Sequence, residues 1–278
     1  MLAGSGLRPR KSLGQHFLDD PLVIEEIISR GGLEAADVVV EIGPGLGALT
    51  IPLLSRIHHL VAIEKDLLLI KLLEKRLSPQ QREKITLLSG DVLEFDFRQI
   101  SDAFGEKVRI FGNLPYNISA PFLEHLIANR LYVRNAILMF QYEVAQRLTA
   151  SPNSREYGAL SIALQYYAHI VPLIKVKKES FYPKPKVDSM VLEFDLERPH
   201  PLRAENEEHF LRIVRAAFRF RRKTLLNSLE RAMAPLTRDV IARALQKSSI
   251  DPKRRAETLS IDEYIRLSSS LSQDATSP

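Results

Sequence analysis

One short stretch carries residue types that could hold a flat, polar group. "FGNLPY" ends an apolar run with Asn113, Leu114, Pro115 and Tyr116. The Asn113 amide oxygen and the Leu114 carbonyl, which the proline restrains, can together accept both hydrogens of an exocyclic amine, and Tyr116 can stack on its ring. An Asn-Pro turn after a strand remains the alternative for this stretch taken alone.

The chemistry expected of such an amine explains why these acceptors matter. Its lone pair is delocalised into the base, and the nitrogen becomes more positive when it attacks a methyl donor. Acceptors placed against its hydrogens therefore stabilise the transition state more than the ground state. The stretch predicts catalysis without a charged general base.

A glycine turn and two acids, each after another apolar run, predict a nucleoside-containing cofactor. Gly43 and Gly45 in "VVVEIGPGLGALT" let the chain turn tightly and approach a ligand. Glu64, about twenty residues further on, can accept both hydroxyls of a ribose. Asp91 can accept a hydrogen from an adenine amino group, or it can simply cap a helix or turn.

The glycine turn also has two competing interpretations. Together with Ala48 it satisfies the G-x-G-x-x-A fingerprint of nicotinamide dinucleotide sites. A tight structural turn with no ligand is the other alternative. The turn therefore indicates a cofactor site only in combination with the two acids and the Asn113 stretch.

Composition limits the class of protein. The chain has 278 residues, of which 45% are hydrophobic and 26% charged, and its length favours two unequal domains. It has no cysteine, and its seven histidines show no HxxxH spacing, so we expect no disulfide and no metal. No apolar run approaches the ~20 residues that span a bilayer, and the start lacks a signal-peptide pattern, so we expect a cytoplasmic protein without membrane contact.

Short Val- and Ile-rich runs alternate with amphipathic segments, which predicts βα units and a largely parallel sheet. Two further strands are expected in "HIVPLIKVKK" and "SMVLEFDL", separated by a proline-rich loop, "FYPKPKVDS". The other expected strands are 38–42, 59–64, 85–90, 108–113 and 135–140, and two expected helices are 66–77 and 120–131.

A linker, "LERPHPLRAEN", separates this region from sequence with only helical patterns, which predicts domains at 1–198 and 202–278. Residues 175–278 hold 21 Lys and Arg against 15 Asp and Glu, whereas residues 1–174 hold 18 against 19. One helical stretch, 207–233, has a basic face that no acid interrupts between 209 and 229. This asymmetry indicates a polyanionic partner, and a solvated helical surface is the alternative.

In combination, these motifs closely resemble the KsgA-type small-subunit rRNA adenine N6,N6-dimethyltransferases. The resemblance extends from Lys11 to about Leu267. The matching stretches, in family order, are "KSLGQHFL", "EIGPGLGALT", "IEKD", "GDVLEFD", "NLPYNIS", "QYEVAQRL", "FYPKPKVDS" and "FRFRRKTLLNSL".

The resemblance implies an α/β fold: a Rossmann-like class I methyltransferase sheet with a small all-helical C-terminal domain that docks on RNA or the ribosome. It implies a monomer that uses S-adenosylmethionine to modify two adjacent adenosines near the 3′ end of small-subunit rRNA, within a pre-ribosomal 30S particle. Catalytic roles are implied for Asn113, Leu114, Tyr116 and Phe181, with the target adenine between the Tyr116 and Phe181 rings and its amine held by Asn113 and the Leu114 carbonyl. Cofactor contacts are implied for His16, Leu18, Gly43, Gly45, Glu64, Lys65, Asp91, Val92 and Asn113. RNA contacts are expected of Lys11, Lys184, Lys186, Arg221, Arg222 and Lys223.

Two residues depart from the family pattern. His16 stands where the family usually has asparagine, so an imidazole replaces an amide at the cofactor's methionine end. Tyr142 stands where the family often has lysine, which bears on a local RNA or phosphate contact. The alternatives are a macrolide-resistance-type large-subunit rRNA methyltransferase, a non-catalytic ribosome-assembly or transcription factor and, last, an NAD oxidoreductase.

Overall fold

The computed structural model describes residues 15–115 and 118–276 of the chain. They divide into two compact units. One contains the residues up to Ala145 together with His169–Glu197, and the other contains Gln146–Ala168 and the residues from Arg198 onward. The predicted domains, 1–198 and 202–278, did not anticipate that residues 146–168 belong with the helices.

The first unit is built on a seven-stranded sheet. Its strand order is β4-β3-β2-β5-β6-β9-β7. Six of these strands run in one direction, and β9, between β6 and β7, runs in the opposite direction. The strands are β2 (Val38–Ile42), β3 (His59–Glu64), β4 (Ile85–Ser89), β5 (Val108–Asn113), β6 (Val133–Gln141), β7 (His169–Val176) and β9 (Ser189–Asp195). Every run predicted as a strand forms one, which confirms the Rossmann-like sheet.

A small ribbon outside this sheet was not foreseen. Strand β1 (Phe17–Leu18) pairs antiparallel with β8 (Phe181–Tyr182), with Phe17 opposite Tyr182 and Leu18 opposite Phe181. Two-residue strands have no periodicity that a sequence pattern can show. The ribbon joins the start of the described chain to the "FYPKPKVDS" loop.

Helices cover the sheet because their apolar faces face its buried strands. In α3, which follows β3, Leu69 and Leu73 are almost fully buried, and the Asp66 side chain caps its start by accepting from Leu68 N. The helices of this unit are α1 (Pro21–Arg30), α2 (Thr50–Leu54), α3 (Leu67–Arg76), α4 (Pro79–Glu83), α5 (Phe97–Phe104) and α6 (Ser119–Ala128). Helix α7 (Tyr142–Leu148) contains the boundary between the two units.

A buried ionic network holds the amino ends of the strands. Arg109 of β5, 4% exposed, pairs with Asp37 at 2.6 Å and donates to Asn135 of β6 at 2.9 Å. It also donates to the carbonyls of Gly31 and Gly32. Since parallel strands place their ligand-binding loops at the carboxyl ends, this polar cluster stabilises the opposite edge.

The second unit is helical. Tyr166 packs against Phe210 with ring centroids 4.6 Å apart, and the Tyr166 and Tyr167 hydroxyls donate to Glu207. These contacts explain why residues 146–168 join this unit. Its helices are α8 (Ala159–Tyr167), α9 (Glu207–Phe218), α10 (Leu225–Ala232), α11 (Arg238–Lys247) and α12 (Ile261–Thr276).

The stretch 207–233, expected to be one helical segment, forms two helices with a turn between them. Thr224 explains the break, because its side chain accepts from Asn227 N and starts α10. Lys223 N donates to Phe220 O at 2.8 Å within the turn. Arg221, Arg222 and Lys223 therefore lie in a loop and not on a continuous helical face.

None of the helices in the described ranges combines the length and the apolar run that a bilayer crossing requires. The described part of the chain likewise contains no cluster of three His, Cys, Asp or Glu side chains that could hold a metal ion.

Candidate active site

The predicted chemical groups meet at the carboxyl edge of the sheet. In the register of the parallel strands Ile42 lies opposite both Ile63 and Gly112, and Glu64 lies opposite Ser89. The glycine turn, Glu64, Asp91 and Asn113 accordingly follow four neighbouring strands. All four line one cavity. It lies at the end of β2, where the next strands in the chain, β3 and β4, are added on one side of β2 and the following strands, β5 and β6, on the other.

The glycine turn after β2 has a geometry that other residues would not adopt. Gly45 has φ +57°, and a Cβ there would lie 3.1 Å from the Phe17 ring. Gly47 has φ +89°, and a Cβ there would lie 2.7 Å from Leu73 Cδ1. The turn therefore brings backbone up to the cavity wall, and the N–H of Gly43 is fixed by donating to Ile63 O at 2.9 Å.

Glu64 ends β3 with its carboxylate largely buried, at 9% exposed. Oε1 accepts from Asp66 N at 2.9 Å, and Oε2 accepts from Gly45 N at 3.3 Å. Burial raises the pKa of Glu64, and the backbone hydrogen bonds oppose that shift. The backbone N–H of Lys65 is a third donor to this carboxylate. A carboxylate has about four acceptor positions, so Glu64 can still accept from a ligand hydroxyl while its backbone contacts hold it in place.

Asp91 follows β4. Its side chain caps a helix, which was the alternative to contacting the adenine of a cofactor. Its Oδ1 accepts from Leu93 N and so starts a short 3₁₀ helix that begins at Val92, while Lys65 Nζ contacts Oδ2 at 2.7 Å. The hydrogen bond from Lys65 holds the pKa of Asp91 below its usual value. Capping does not remove Asp91 from the site, because Lys65, Asp91 and the buried Val92 all line the cavity.

Asn113 is oriented by a backbone carbonyl. Its Nδ2 donates to His16 O at 3.0 Å, which makes Oδ1 the amide atom that can accept a hydrogen bond from a ligand. The His16 ring is fixed as well, since its Nδ1 lies 2.6 Å from Pro183 O and a carbonyl only accepts. The imidazole at the position of the family's asparagine thus joins the N-terminal segment to the loop after β8.

The apolar members of the predicted site have different surroundings. Leu114 and Leu18 are buried and line the cavity. Phe181 is 4% exposed and belongs to the hydrophobic cluster that contains Leu18 and Val176, so its ring faces the interior and its stacking on a base stays a prediction. Tyr116 lies outside the described residues.

Glu41 is a site residue that the sequence analysis missed. This fourth residue of β2 is 2% exposed, lines the cavity, and accepts from Thr50 Oγ1 at 2.6 Å. Burial raises its pKa to about 8, and the nearby Glu64 adds to the shift. The available signal was an acid inside "VVVEI", a run whose other residues are all typical of a fully buried strand.

The predicted RNA-binding residues of the first unit are on its surface. Lys184 and Lys186 are exposed, and Lys184 pairs with Glu179 at 2.6 Å. Because both partners of this pair are about half exposed, it contributes little stability and leaves the lysine accessible. Lys11 lies outside the described residues.

The three predicted residues of the second unit differ from one another. Arg221 donates to the carbonyls of Arg155 and Tyr157, at 2.8 and 3.3 Å, and so braces a neighbouring loop of the same unit. Arg222 and Lys223 are exposed in the turn that precedes α10. An RNA contact by any of the three stays a prediction.

Tyr142 holds a lysine from elsewhere in the chain. Lys175 Nζ lies 4.6 Å from the centre of the Tyr142 ring, and 3.7 Å from Asp188 Oδ2. A cation is therefore present beside the position where the family often has lysine, supplied by β7.

The cavity suits S-adenosylmethionine by the chemistry of its lining. Carboxylates at Glu64 and Asp91 match hydroxyl and amino donors of an adenosine, and the buried side chains of Ile63 and Val92 offer apolar surface for its base. The absence of a side chain at Gly45 leaves space in the cavity, because a Cβ there would lie against the Phe17 ring.

Comparison with known proteins identifies the family. Residues 6–273 match the family described as ribosomal RNA adenine dimethylase. The ribosomal RNA small subunit methyltransferase A of Desulforapulum autotrophicum is 42% identical, over 98% of this chain and 95% of the relative. That of Pelotomaculum thermopropionicum is 43% identical, over 95% and 92%.

Solved structures agree with this result at the level of the fold. A dimethyladenosine transferase from Plasmodium falciparum has a TM-score of 0.77 at 25% identity, over 93% of this chain and 98% of that one. The 23S rRNA methyltransferase ErmE has a TM-score of 0.70 at 24% identity, over 92% and 100%. The fold is therefore shared by a structure named as a dimethyladenosine transferase and by one named as a 23S rRNA methyltransferase.

Proposed function

Because the chain belongs to the ribosomal RNA adenine dimethylase family, we propose that it dimethylates N6 of two adjacent adenosines near the 3′ end of small-subunit rRNA. It uses S-adenosylmethionine as methyl donor. Relatives about 40% identical over nearly the whole chain are named for the small subunit, which favours this substrate over large-subunit rRNA.

The observation that carries the proposal is the orientation of Asn113 at the mouth of the strand-end cavity. Its amide nitrogen donates to His16 O, so Oδ1 is the atom available to the exocyclic amine of an adenine. The Leu114 carbonyl, adjacent in sequence, is the second acceptor. These two neutral acceptors stabilise the positive charge that develops on the amine nitrogen as it attacks.

The first unit would hold the cofactor by the groups already described. Glu64 would accept the ribose hydroxyls, Asp91 would accept the adenine amino group, and the turn at Gly43 and Gly45 would let backbone approach the ligand. The bound cofactor supplies an electrophilic methyl group. The chain supplies orientation, since the acceptors on Asn113 and Leu114 set where the amine nitrogen lies.

The target adenine must leave its helical stack, because an amine in a paired stack cannot reach the cavity. Lys184 and Lys186 in the first unit, and Arg222 and Lys223 in the second, supply exposed positive charge for phosphate contacts. We place the reaction in the cytoplasm, on a pre-ribosomal 30S particle bound by a monomer of this protein.

Transfer of labelled methyl groups to isolated ribosomal particles tests the substrate. Small-subunit particles that lack dimethyladenosine should accept close to four methyl groups each, because two adenosines each receive two. Large-subunit particles serve as the matched control and should accept none. Labelling of large-subunit rRNA instead would refute the assignment while leaving the chemistry of the site intact.

A further inference from the structure

Tyr182 presents an aromatic ring to solvent beside the active site. Its exposure is 53%, whereas Phe181, the residue before it on β8, is 4% exposed. Successive side chains of a strand point to opposite faces, so burying Phe181 in the core turns Tyr182 outward. None of the contacts described for the active site uses this ring.

The ribbon fixes where the ring stands. Tyr182 lies directly opposite Phe17 of β1, and directly opposed residues of an antiparallel pair project from the same face. Phe17 lines the cofactor cavity. Leu18, which pairs with Phe181, lines the cavity as well, so the whole ribbon borders the cavity and Tyr182 stands directly across from one of its lining residues.

A chain of hydrogen bonds joins this ribbon to the residue that receives the target amine. Asn113 donates to the carbonyl of His16, and the His16 ring bonds the carbonyl of Pro183, the residue after Tyr182. Two contacts of 3.0 and 2.6 Å thus separate Asn113 from the backbone next to Tyr182. The same two hydrogen bonds thus orient the Asn113 amide and fix the backbone beside Tyr182.

The charge around the ring suits a nucleic acid. Between Lys175 and Val187 the sequence contains five lysines and a single acid, Glu179. Lys184 and Lys186 follow Tyr182 at two and four residues and are exposed. An exposed aromatic ring among lysines is the arrangement that binds unpaired nucleotides, with the base on the ring and phosphates on the cations.

We propose that Tyr182 stacks on the nucleobase adjacent to the target adenosine in the RNA strand. This inference rests on the proposed function. When the target base leaves its stack, its neighbour loses a stacking partner, and the Tyr182 ring replaces that partner. The target base itself is held elsewhere, by the acceptors on Asn113 and Leu114.

Three variants separate the ring from the other properties of the residue. Tyr182→Phe keeps the ring and removes the hydroxyl, Tyr182→Leu keeps apolar bulk without aromaticity, and Tyr182→Ala removes both. Each is tested for affinity to a small-subunit rRNA hairpin that the unaltered protein has first been shown to methylate. Cofactor affinity and melting temperature are measured for every variant.

Stacking predicts about a tenfold weaker hairpin affinity for the Ala and Leu variants, and less than a twofold change for Phe. The logarithmic salt slope should not change, since no charge is removed, whereas Lys184→Gln with Lys186→Gln should lower it. Hairpins with 2-aminopurine on the 5′ or the 3′ side of the target locate the contact. On one of these sides the probe should stay quenched with unaltered protein and with Phe, and brighten with Ala and Leu.

The inference is overturned if folded Ala and Leu variants bind like unaltered protein, or if neither probe position responds to them. It is equally overturned if Phe loses as much affinity as Ala, because the hydroxyl and not the ring would then make the contact. Failure of the unaltered protein to methylate small-subunit particles refutes the proposed function, and that result is seen before any variant is compared. If the protein methylates the particles but not the hairpin, the affinities of the variants are measured on the particles.

Discussion

Glu41→Gln tests the buried carboxyl group that the cavity contains. Glu41 is 2% exposed and its pKa is raised to about 8 from an ordinary 4.5, mainly by burial. Glutamine has nearly the same shape and keeps an oxygen to accept from Thr50 Oγ1, which lies 2.6 Å away in the native protein. The substitution therefore removes the titration and keeps the packing.

The sign of the effect follows from proton binding. Between pH 4.5 and about 8 the unfolded chain has released the Glu41 proton while the folded protein retains it. The unfolded state thus binds fewer protons, and the free energy of unfolding falls as the pH rises. The slope reaches about 1.4 kcal/mol per pH unit and is smaller near pH 5 and pH 8, so the native protein loses roughly 3–4 kcal/mol between pH 5 and pH 8 relative to the variant.

Urea unfolding followed by circular dichroism at pH 5, 6, 7 and 8 measures this difference. Groups that do not interact with Glu41 cancel when the variant is compared with the native protein at each pH. The charge of Glu64 interacts with Glu41, but it contributes less to the Glu41 shift than burial does. Glu83→Gln, which removes one exposed carboxylate, corrects for the change in net charge. Stability curves of native protein and Glu41→Gln that run parallel over this range would refute the reasoning.

Two further predictions concern ligands. Glu64→Ala should weaken S-adenosylmethionine binding about 10- to 150-fold, the loss of about 1.5–3 kcal/mol from charge-assisted contacts, with RNA affinity unchanged; calorimetry with exposed Glu94→Ala as control checks it, and equal affinities would remove Glu64 from the site. Neutralising Arg222 and Lys223 should reduce the salt slope of RNA binding by about two, whereas Arg221→Ala should chiefly lower the melting temperature because it braces two carbonyls. An unchanged slope in the folded double variant would exclude phosphate contacts there.

Most of the sheet was predictable because burial of both faces leaves a clear sequence pattern. Strand β2, "VVVEI", and strand β3, "HLVAIE", are apolar runs of strand length bounded by turn residues, and both formed where expected. The ribbon of β1 and β8 was not predictable, since two residues carry no period. The division of 207–233 depended on one cap, Thr224, whose effect competes with a helical pattern that continues on both sides.

The sequence could predict those site residues that have a suitable polar side chain and stand at the carboxyl end of a predicted strand. Parallel strands bring their carboxyl ends together, so Glu64, Asp91 and Asn113 could be placed at one edge from sequence alone. The sequence could not show which polar side-chain atoms already form hydrogen bonds within the protein. The contact of His16 with Pro183 joins residues 167 positions apart, and Arg221 is held by carbonyls 64 and 66 positions away.

The central claim is that Asn113 accepts the target amine at a strand-end cavity, and primer extension across small-subunit rRNA tests it most directly. Native protein with S-adenosylmethionine should produce two adjacent stops near the 3′ end, and omission of the cofactor should abolish them. Asn113→Ala should slow formation of both stops at least about 100-fold, the scale of losing a transition-state contact.

A gel-shift on the same RNA should show that the Asn113→Ala variant still binds, since phosphate contacts made elsewhere supply most of the affinity. Two stops that form at the native rate with Asn113→Ala would contradict the account. So would a folded variant that loses RNA binding in proportion to its activity.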